Sequence, residues 1–232
     1  MPDFSFISMA SLPCVILDAL DASHQSPDTD YSPLLRQVIA QLSGLPSEQI
    51  CLDRTPAGKP VVTNAPFHFS ISHTDQWLAL AFDHAPIGVD VESCRGQPSL
   101  KLARRFFTPE EVVWLDAVDP DFVDEAFVHL WVLKESFVKQ QGSALARVLG
   151  RVAFIGDVPR VTGSERDLDK SLHCAVWSLD GCARIGVTWK TPTPPVFYTR
   201  QGEALNLSMA PALWSGSVAH THKKARINDP GN

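Results

Sequence analysis

Hydrophobic and polar positions alternate with two periods along this chain, and the periods divide it into elements. Leu34, Leu35, Val38, Ile39 and Leu42 recur at steps of three and four, which predicts a helix from Pro33 to Leu42. Pro33 suits its first turn and Gly44 its end. The period then falls to two. Phe67, Phe69 and Ile71 alternate, His73 to Gln76 turn, and Trp77 to Phe82 return, which predicts a β-hairpin. Ile87, Val89 and Val91 alternate again, so Asp90 and Glu92 share the other face of a strand. An early strand is expected between Phe4 and Leu20, followed by a polar loop over 21–32.

A helical part follows. A short helix is expected from Ser99 to Phe107, with Lys101, Arg104 and Arg105 exposed. Thr108, Pro109 and Glu111 form the capping-box start of a second helix. The longest helix should run from about Asp124 to Gln141 and stop at Gly142. Strands return over Val152 to Ile155, His173 to Leu179 and Ala183 to Trp189. From Thr191 onward the chain reads as a tail that opens on Pro192, Pro194 and Pro195. Its last stretch, with Lys223, Lys224 and Arg226, reads as disordered. Helix 33–42 with hairpin 67–82 faintly resembles helix 124–141 with hairpin 173–189, without residue-level identity. Helices and hairpins in this order predict an α+β fold.

Composition narrows the class. The chain has 232 residues, 44% of them hydrophobic and 20% charged, which fits a globular protein with a real core. Lys plus Arg number 20 against 26 for Asp plus Glu, a formal charge of −6. Such a chain is a poor generic nucleic-acid binder, because phosphate contacts need clustered cations. No apolar run approaches the roughly 20 residues of a membrane span. Five cysteines, with no C-x-x-C pair, argue against a disulfide framework or a zinc cage. A cytoplasmic protein with reduced thiols is expected.

Three groups of residues carry candidate chemistry. Asp90 and Glu92 repel each other on one strand face, and a hard divalent cation such as Mg²⁺ would relieve that repulsion. A solvated edge-strand face is the alternative. Trp131, Glu135 and Lys139 stand four apart on a helix that is otherwise heavily apolar. Either their charges meet a partner, or they form a surface Glu–Lys pair worth ~0.2–0.5 kcal/mol. Ser72 and His73 end a strand and could donate to a phosphate. Lys59, in a Gly-Lys-Pro turn, is either a further phosphate charge or a solvated turn lysine.

Taken in order, these motifs resemble the 4′-phosphopantetheinyl transferase superfamily, in its surfactin-synthetase-activating type. The resemblance rests on Gly58-Lys59-Pro60, Phe69-Ser-Ile-Ser-His73, Gly88-Val-Asp90-Val-Glu92, Arg105-Phe-Phe107 and Trp131-x-x-Lys-Glu135-x-x-x-Lys139, and covers about residues 33 to 190. It implies two similar α/β halves related by a pseudo-twofold. Each would be a small, mostly antiparallel sheet packed with a long helix, and the active site would lie at their interface. The expected boundaries are 1–87 and 88–190, with 191–232 as the tail, and the expected state is monomeric. The implied reaction moves the phosphopantetheine arm of coenzyme A to a serine of an acyl, peptidyl or aryl carrier protein. Adenosine 3′,5′-bisphosphate is released.

By the same resemblance, Asp90, Glu92 and Glu135 would hold Mg²⁺, with Mn²⁺ as a substitute. Glu135 would be the general base, with a metal-associated water as the alternative. Lys139 would meet the pyrophosphate, and Lys59, Ser72 and His73 would contact coenzyme A. Relatives carry lysines before the first long helix that help hold the 3′-phosphate. Here 21–32 holds Asp21, Asp28 and Asp30 with no Lys or Arg, so Arg36 and Arg54 are the candidates to compensate. The carrier would dock near Lys101, Arg104, Arg105, Phe106 and Phe107. Two alternatives are a Mg²⁺-dependent nuclease, which the net acidity disfavours, and a catalytically impaired carrier-binding module.

Overall fold

The helix foreseen from the three-and-four spacing forms as α1, Ser32–Ser43, in the computed structural model. The structure describes residues 4–5, 7–20, 30–94, 99–142, 149–154, 160–161, 171–179, 183–200, 204–205 and 214–217. The expected disordered end at Lys223 to Arg226, Cys182, and most of the polar loop lie outside those residues. Leu35, Val38, Ile39 and Leu42 bury the inner face of α1. Each such side chain contributes about 1.5–3 kcal/mol by leaving water.

The strands are β1 Cys14–Ala19, β2 Leu52–Arg54, β3 Pro60–Val62, β4 His68–His73, β5 Trp77–Asp83 and β6 Gly88–Ser93, then β7 Val152–Ala153, β8 Arg160–Val161, β9 His173–Leu179, β10 Ala183–Trp189, β11 Val196–Thr199, β12 Ala204–Leu205 and β13 Trp214–Ser217. Three helices lie between β6 and β7: α2 Ser99–Phe106, α3 Pro109–Asp116 and α4 Val123–Gln141. The hairpin foreseen at 67–82 is β4–β5, with Phe69 opposite Phe82 and Ser72 opposite Ala79. The capping box also forms: Thr108 N–H donates to Glu111 Oε2 at 2.8 Å, and Glu111 N–H to Thr108 Oγ1 at 3.3 Å. Gly142 ends α4 at φ +62°, a conformation that favours glycine.

One sheet has the order β12-β11-β1-β5-β4, and a second the order β13-β9-β10-β6. This corrects the reading of everything after Thr191 as tail. The strand β11 runs parallel to β1, with Val196 beside Cys14, and Phe197 is fully buried. The strand β13 pairs antiparallel with β9. The run after Pro194-Pro195 is too short to show a period, and a parallel strand takes its partner from far away in sequence.

Both sheets feed one core. Val15, Leu17, Ala79, Ala81 and Phe197 from the first meet Val89, Val91, Ile185 and Val187 from the second. Helix α1 covers the other face of the first sheet, through Ile16, Leu78, Leu80 and Phe82. Helix α4 covers the other face of the second, with Val132, Leu133 and Phe137 against Cys174 and Val176.

Two glycines set how closely α4 lies on that sheet. A Cβ on Gly186 would stand 2.4 Å from Val132 O, and one on Gly88 would stand 1.9 Å from Ser136 O. Both obstacles are backbone and cannot rotate away. Gly186→Ala is therefore expected to cost about 2–3 kcal/mol, read as a lower urea midpoint. An unchanged midpoint would show that α4 can shift at no cost.

His129 faces the sheet from α4, and burial together with Arg184 pushes its imidazole down to about 4. The neutral form is favoured when folded, so stability is lost as pH falls from about 6.5, the unfolded value, towards 4. Roughly 2–3 kcal/mol should go over that window. His129→Gln should flatten that part of the stability profile. An equally steep fall in the variant would assign the loss to other groups.

Candidate active site

The strand β6 puts Asp90 and Glu92 on the face turned towards α4, as the alternation requires. Helix α4 presents Trp131, Glu135 and Lys139 one turn apart along the same opening. These five residues, with Ser72 and His73 at the end of β4, line one cavity of about 830 Å³. Its far wall is built by Tyr31, Ser32 and Leu35 at the start of α1, and by Leu52, Asp53 and Arg54 of β2.

Asp90 is the buried centre of the site. Its Oδ1 accepts from Ser72 Oγ at 2.8 Å and from Lys139 Nζ at 2.7 Å. Ser72 Oγ also receives Lys139 Nζ at 3.0 Å and the Val91 N–H at 3.3 Å. One hydroxyl thereby joins β4, β6 and α4. Asp90 Oδ2 is buried with no hydrogen-bond partner. A buried carboxylate oxygen left so is costly, and it marks a place where a cation belongs.

The neighbouring acids say the same in electrostatic terms. Burial first, then Asp90 and Glu135, push the Glu92 carboxyl up to about 7, with Lys139 pulling the other way. Burial and Asp90 push Glu135 up to about 7 as well, again opposed by Lys139. One lysine does not neutralise three acids in a half-buried cleft. The donor set is all oxygen, which suits Mg²⁺ or Mn²⁺. Among the described residues, no three His, Cys, Asp or Glu side chains stand close enough to form a ligand set as they are. The Lys139 ammonium takes part of a cation's place against Asp90 Oδ1.

The remaining sequence candidates separate. Arg54 lines the cavity, and its Nη1 donates to Gly58 O at 2.9 Å. Arg36 is not among the cavity-lining residues, and its guanidinium donates to Ile50 O. Lys59 lines a smaller adjoining cavity of about 250 Å³. Its ammonium reaches the main-chain oxygens of Ile87 and Lys139. Lys101, Arg104 and Arg105 are exposed on α2, as expected. Arg104 reaches Asp116 at 3.3 Å, and Arg105 lies over the Phe106 ring at 5.0 Å. Phe107 is a core residue stacked on Phe127 at 5.3 Å, so its ring is not offered to a partner.

One contributor escaped the sequence reading, and another was quoted only as part of a motif. Tyr31 sets its ring 5.2 Å from His73 at the cavity wall. Lys134, next to Glu135, turns inward and pairs with Glu111 at 2.8 Å. The motif names Lys134, but only its apolar neighbours signal that it turns inward.

Comparison with known proteins points to one family. Residues 86–180 match the 4′-phosphopantetheinyl transferase superfamily, and residues 32–85 match the N-terminal part of a 4′-phosphopantetheinyl transferase. The chain is 32% identical to the 4′-phosphopantetheinyl transferase psf-1 of Bacillus pumilus over 161 residues, 68% of this chain and 69% of that protein. It is 41% identical to the 4′-phosphopantetheinyl transferase Sfp of Bacillus subtilis over 114 residues, 49% of this chain and 50% of that one. With the transferase gsp of Aneurinibacillus migulanus the identity is 33% over 112 residues, 48% of this chain and 46% of gsp. The matched segments thus span about half the length of Sfp and gsp, and more of psf-1. With its D-x-E strand and its W-x-x-K-E helix meeting in one cleft, the chain belongs to the 4′-phosphopantetheinyl transferase superfamily.

Proposed function

We propose that this chain transfers the 4′-phosphopantetheine arm of coenzyme A to a serine hydroxyl of an apo acyl, peptidyl or aryl carrier protein. The observation that carries the reading is the unpartnered Asp90 Oδ2 in a cleft it shares with Glu92, Glu135 and Lys139. Asp90, Glu92 and Glu135 would hold Mg²⁺, with Mn²⁺ as a substitute. When bound, that ion supplies Lewis-acid charge for the attacked phosphate and the leaving bisphosphate.

The chain's own residues do the rest. Lys139 lies beside Asp90, where it can meet the coenzyme A pyrophosphate as a point charge. Ser72, His73 and Arg54 line the way outward and would contact the nucleotide side. The serine oxygen bonds to the phosphorus that carries pantetheine, and the bond from that phosphorus to the bridging pyrophosphate oxygen breaks. Glu135 would take the serine proton, directly or through a water, since a base must stand within hydrogen-bond reach.

We also infer two similar halves, divided near residue 87, with the cleft between them. Two observations support this: α1 covers one sheet and α4 the other, and residues of both sides line the cavity. A carrier would approach across Lys101, Arg105 and the half-buried Phe106. The free thiols of Cys14, Cys51, Cys94 and Cys174 support a cytoplasmic setting, and no described helix is long and apolar enough to cross a membrane.

The test is to incubate the protein with apo carrier, coenzyme A and Mg²⁺ and to weigh the carrier. A gain of one phosphopantetheine arm is expected, and its loss when the metal is chelated. No gain with acyl, peptidyl or aryl carriers would refute the proposal.

A further inference from the structure

The Lys59 side chain is half-buried and is not part of the wall of the large cavity. It donates to Ile87 O at 3.2 Å and to the main-chain oxygen of Lys139. These acceptors belong to two elements that the site requires in register. Ile87 immediately precedes Gly88, where β6 passes closest beneath α4. Lys139 is in the last turn of α4, where its carbonyl also receives the Gly142 N–H at 3.3 Å and the helix dipole favours a cation. The side chain of Lys139 reaches Asp90 at 2.7 Å, so its backbone oxygen and its ammonium are both held. The turn that carries Lys59 is itself fastened. Thr55 N–H donates to Lys59 O at 2.8 Å, and Lys59 N–H to Thr55 Oγ1 at 3.1 Å. Gly142, just past the helix, lies alongside the lysine stem: a Cβ there would stand 3.7 Å from Lys59 Cδ, in ordinary van der Waals contact.

We propose that Lys59 is a positioning residue that clamps the end of α4 to the start of β6, and thereby aims Lys139 at Asp90 and the bound substrate. The clamp joins the turn between β2 and β3 to the helix that carries Glu135 and Lys139. It acts on the substrate only through Lys139. Its catalytic consequence rests on the transferase reading above, whereas its structural consequence does not.

Two measurements test it. The first is hydrogen exchange in the last turn of α4, residues 137–142, with thermal unfolding as the check on global folding. Lys59→Met should raise exchange in that turn by about tenfold while the rest of α4 stays protected. Lys59→Arg, which can still donate to both oxygens, should restore most of the protection. Unchanged exchange in Lys59→Met would overturn the clamp.

The second is a double-mutant cycle on kcat/KM for coenzyme A. Lys59→Met and Lys139→Met should each lower it, by about tenfold or more. The double variant should be no worse than Lys139→Met alone, and the KM for the carrier should not move. Additive losses would mean that Lys59 meets coenzyme A in its own right, and would overturn the proposal. If the wild-type protein transfers nothing, the transferase reading fails and the exchange experiment alone decides the clamp.

Discussion

Asp90→Ala is expected to lower the transfer rate by at least about a thousandfold while leaving the protein folded. Among the described residues, Asp90 supplies the one buried acid oxygen in the cleft without a hydrogen-bond partner, and its other oxygen orders Ser72 and Lys139. Removing it takes away a proposed Mg²⁺ ligand and releases Lys139 together. The loss of a Lewis-acid site amounts to several kcal/mol of transition-state stabilisation, and about 4 kcal/mol is a thousandfold in rate. Stability should change little, because the freed Lys139 is half-buried and can turn to water. Asp90→Asn is the stricter variant. It keeps the volume and the Ser72 contact but loses the charge, so it should be nearly as inactive. The assay is holo-carrier formation by mass under saturating coenzyme A. Wild-type turnover in Asp90→Asn would place the metal elsewhere.

The route from sequence to this site was uneven. Period-two alternation set Asp90 and Glu92 on one face of β6, and period 3.6 put Trp131, Glu135 and Lys139 on one stripe of α4. Both statements are local, and the structure repeats them. That the stripe meets the strand face is a tertiary fact, and there the motif resemblance led where periodicity could not. The losses share a physical cause. A side chain's destination depends on partners remote in sequence. Arg36 and Arg54 look alike in the sequence, yet only Arg54 lines the cavity. Lys59 stands in a polar turn and nevertheless points inward, to oxygens 28 and 80 residues away. Strand β11 follows two prolines and has four residues, but its Phe197 fills the core between the sheets. Gly88 and Gly186 were visible as glycines, and their role needed the helix laid across them.

Lys134→Met is the second large effect, and it acts on stability. Lys134 is 1% exposed and Glu111 0%. The ammonium donates to Leu149 O at 2.6 Å and Val152 O at 2.7 Å, besides meeting Glu111 Oε2 at 2.8 Å. Glu111 in turn accepts from Thr108 N–H, and from Phe154 N–H at 2.9 Å. Burial pulls the Lys134 ammonium down, and the Glu111 carboxylate draws it back up. Removing the cation alone strands a buried carboxylate, which costs about 3–5 kcal/mol. The double variant Lys134→Met, Glu111→Leu leaves no uncompensated charge, so it should recover much of that loss. It should still lack the capping-box bond, worth ~1 kcal/mol. Urea denaturation of the two single variants and the double variant reads the cycle. Additive losses would mean that the two charges do not stabilise one another, despite the 2.8 Å contact. Glu135 is the next residue on α4, so the same buried pair that ties α4 to α3 also fixes which side of the helix faces the cleft. The neighbouring Lys and Glu of W-x-x-K-E thus serve two faces of one helix, about 100° apart, the first inward for stability and the second towards the cleft for chemistry.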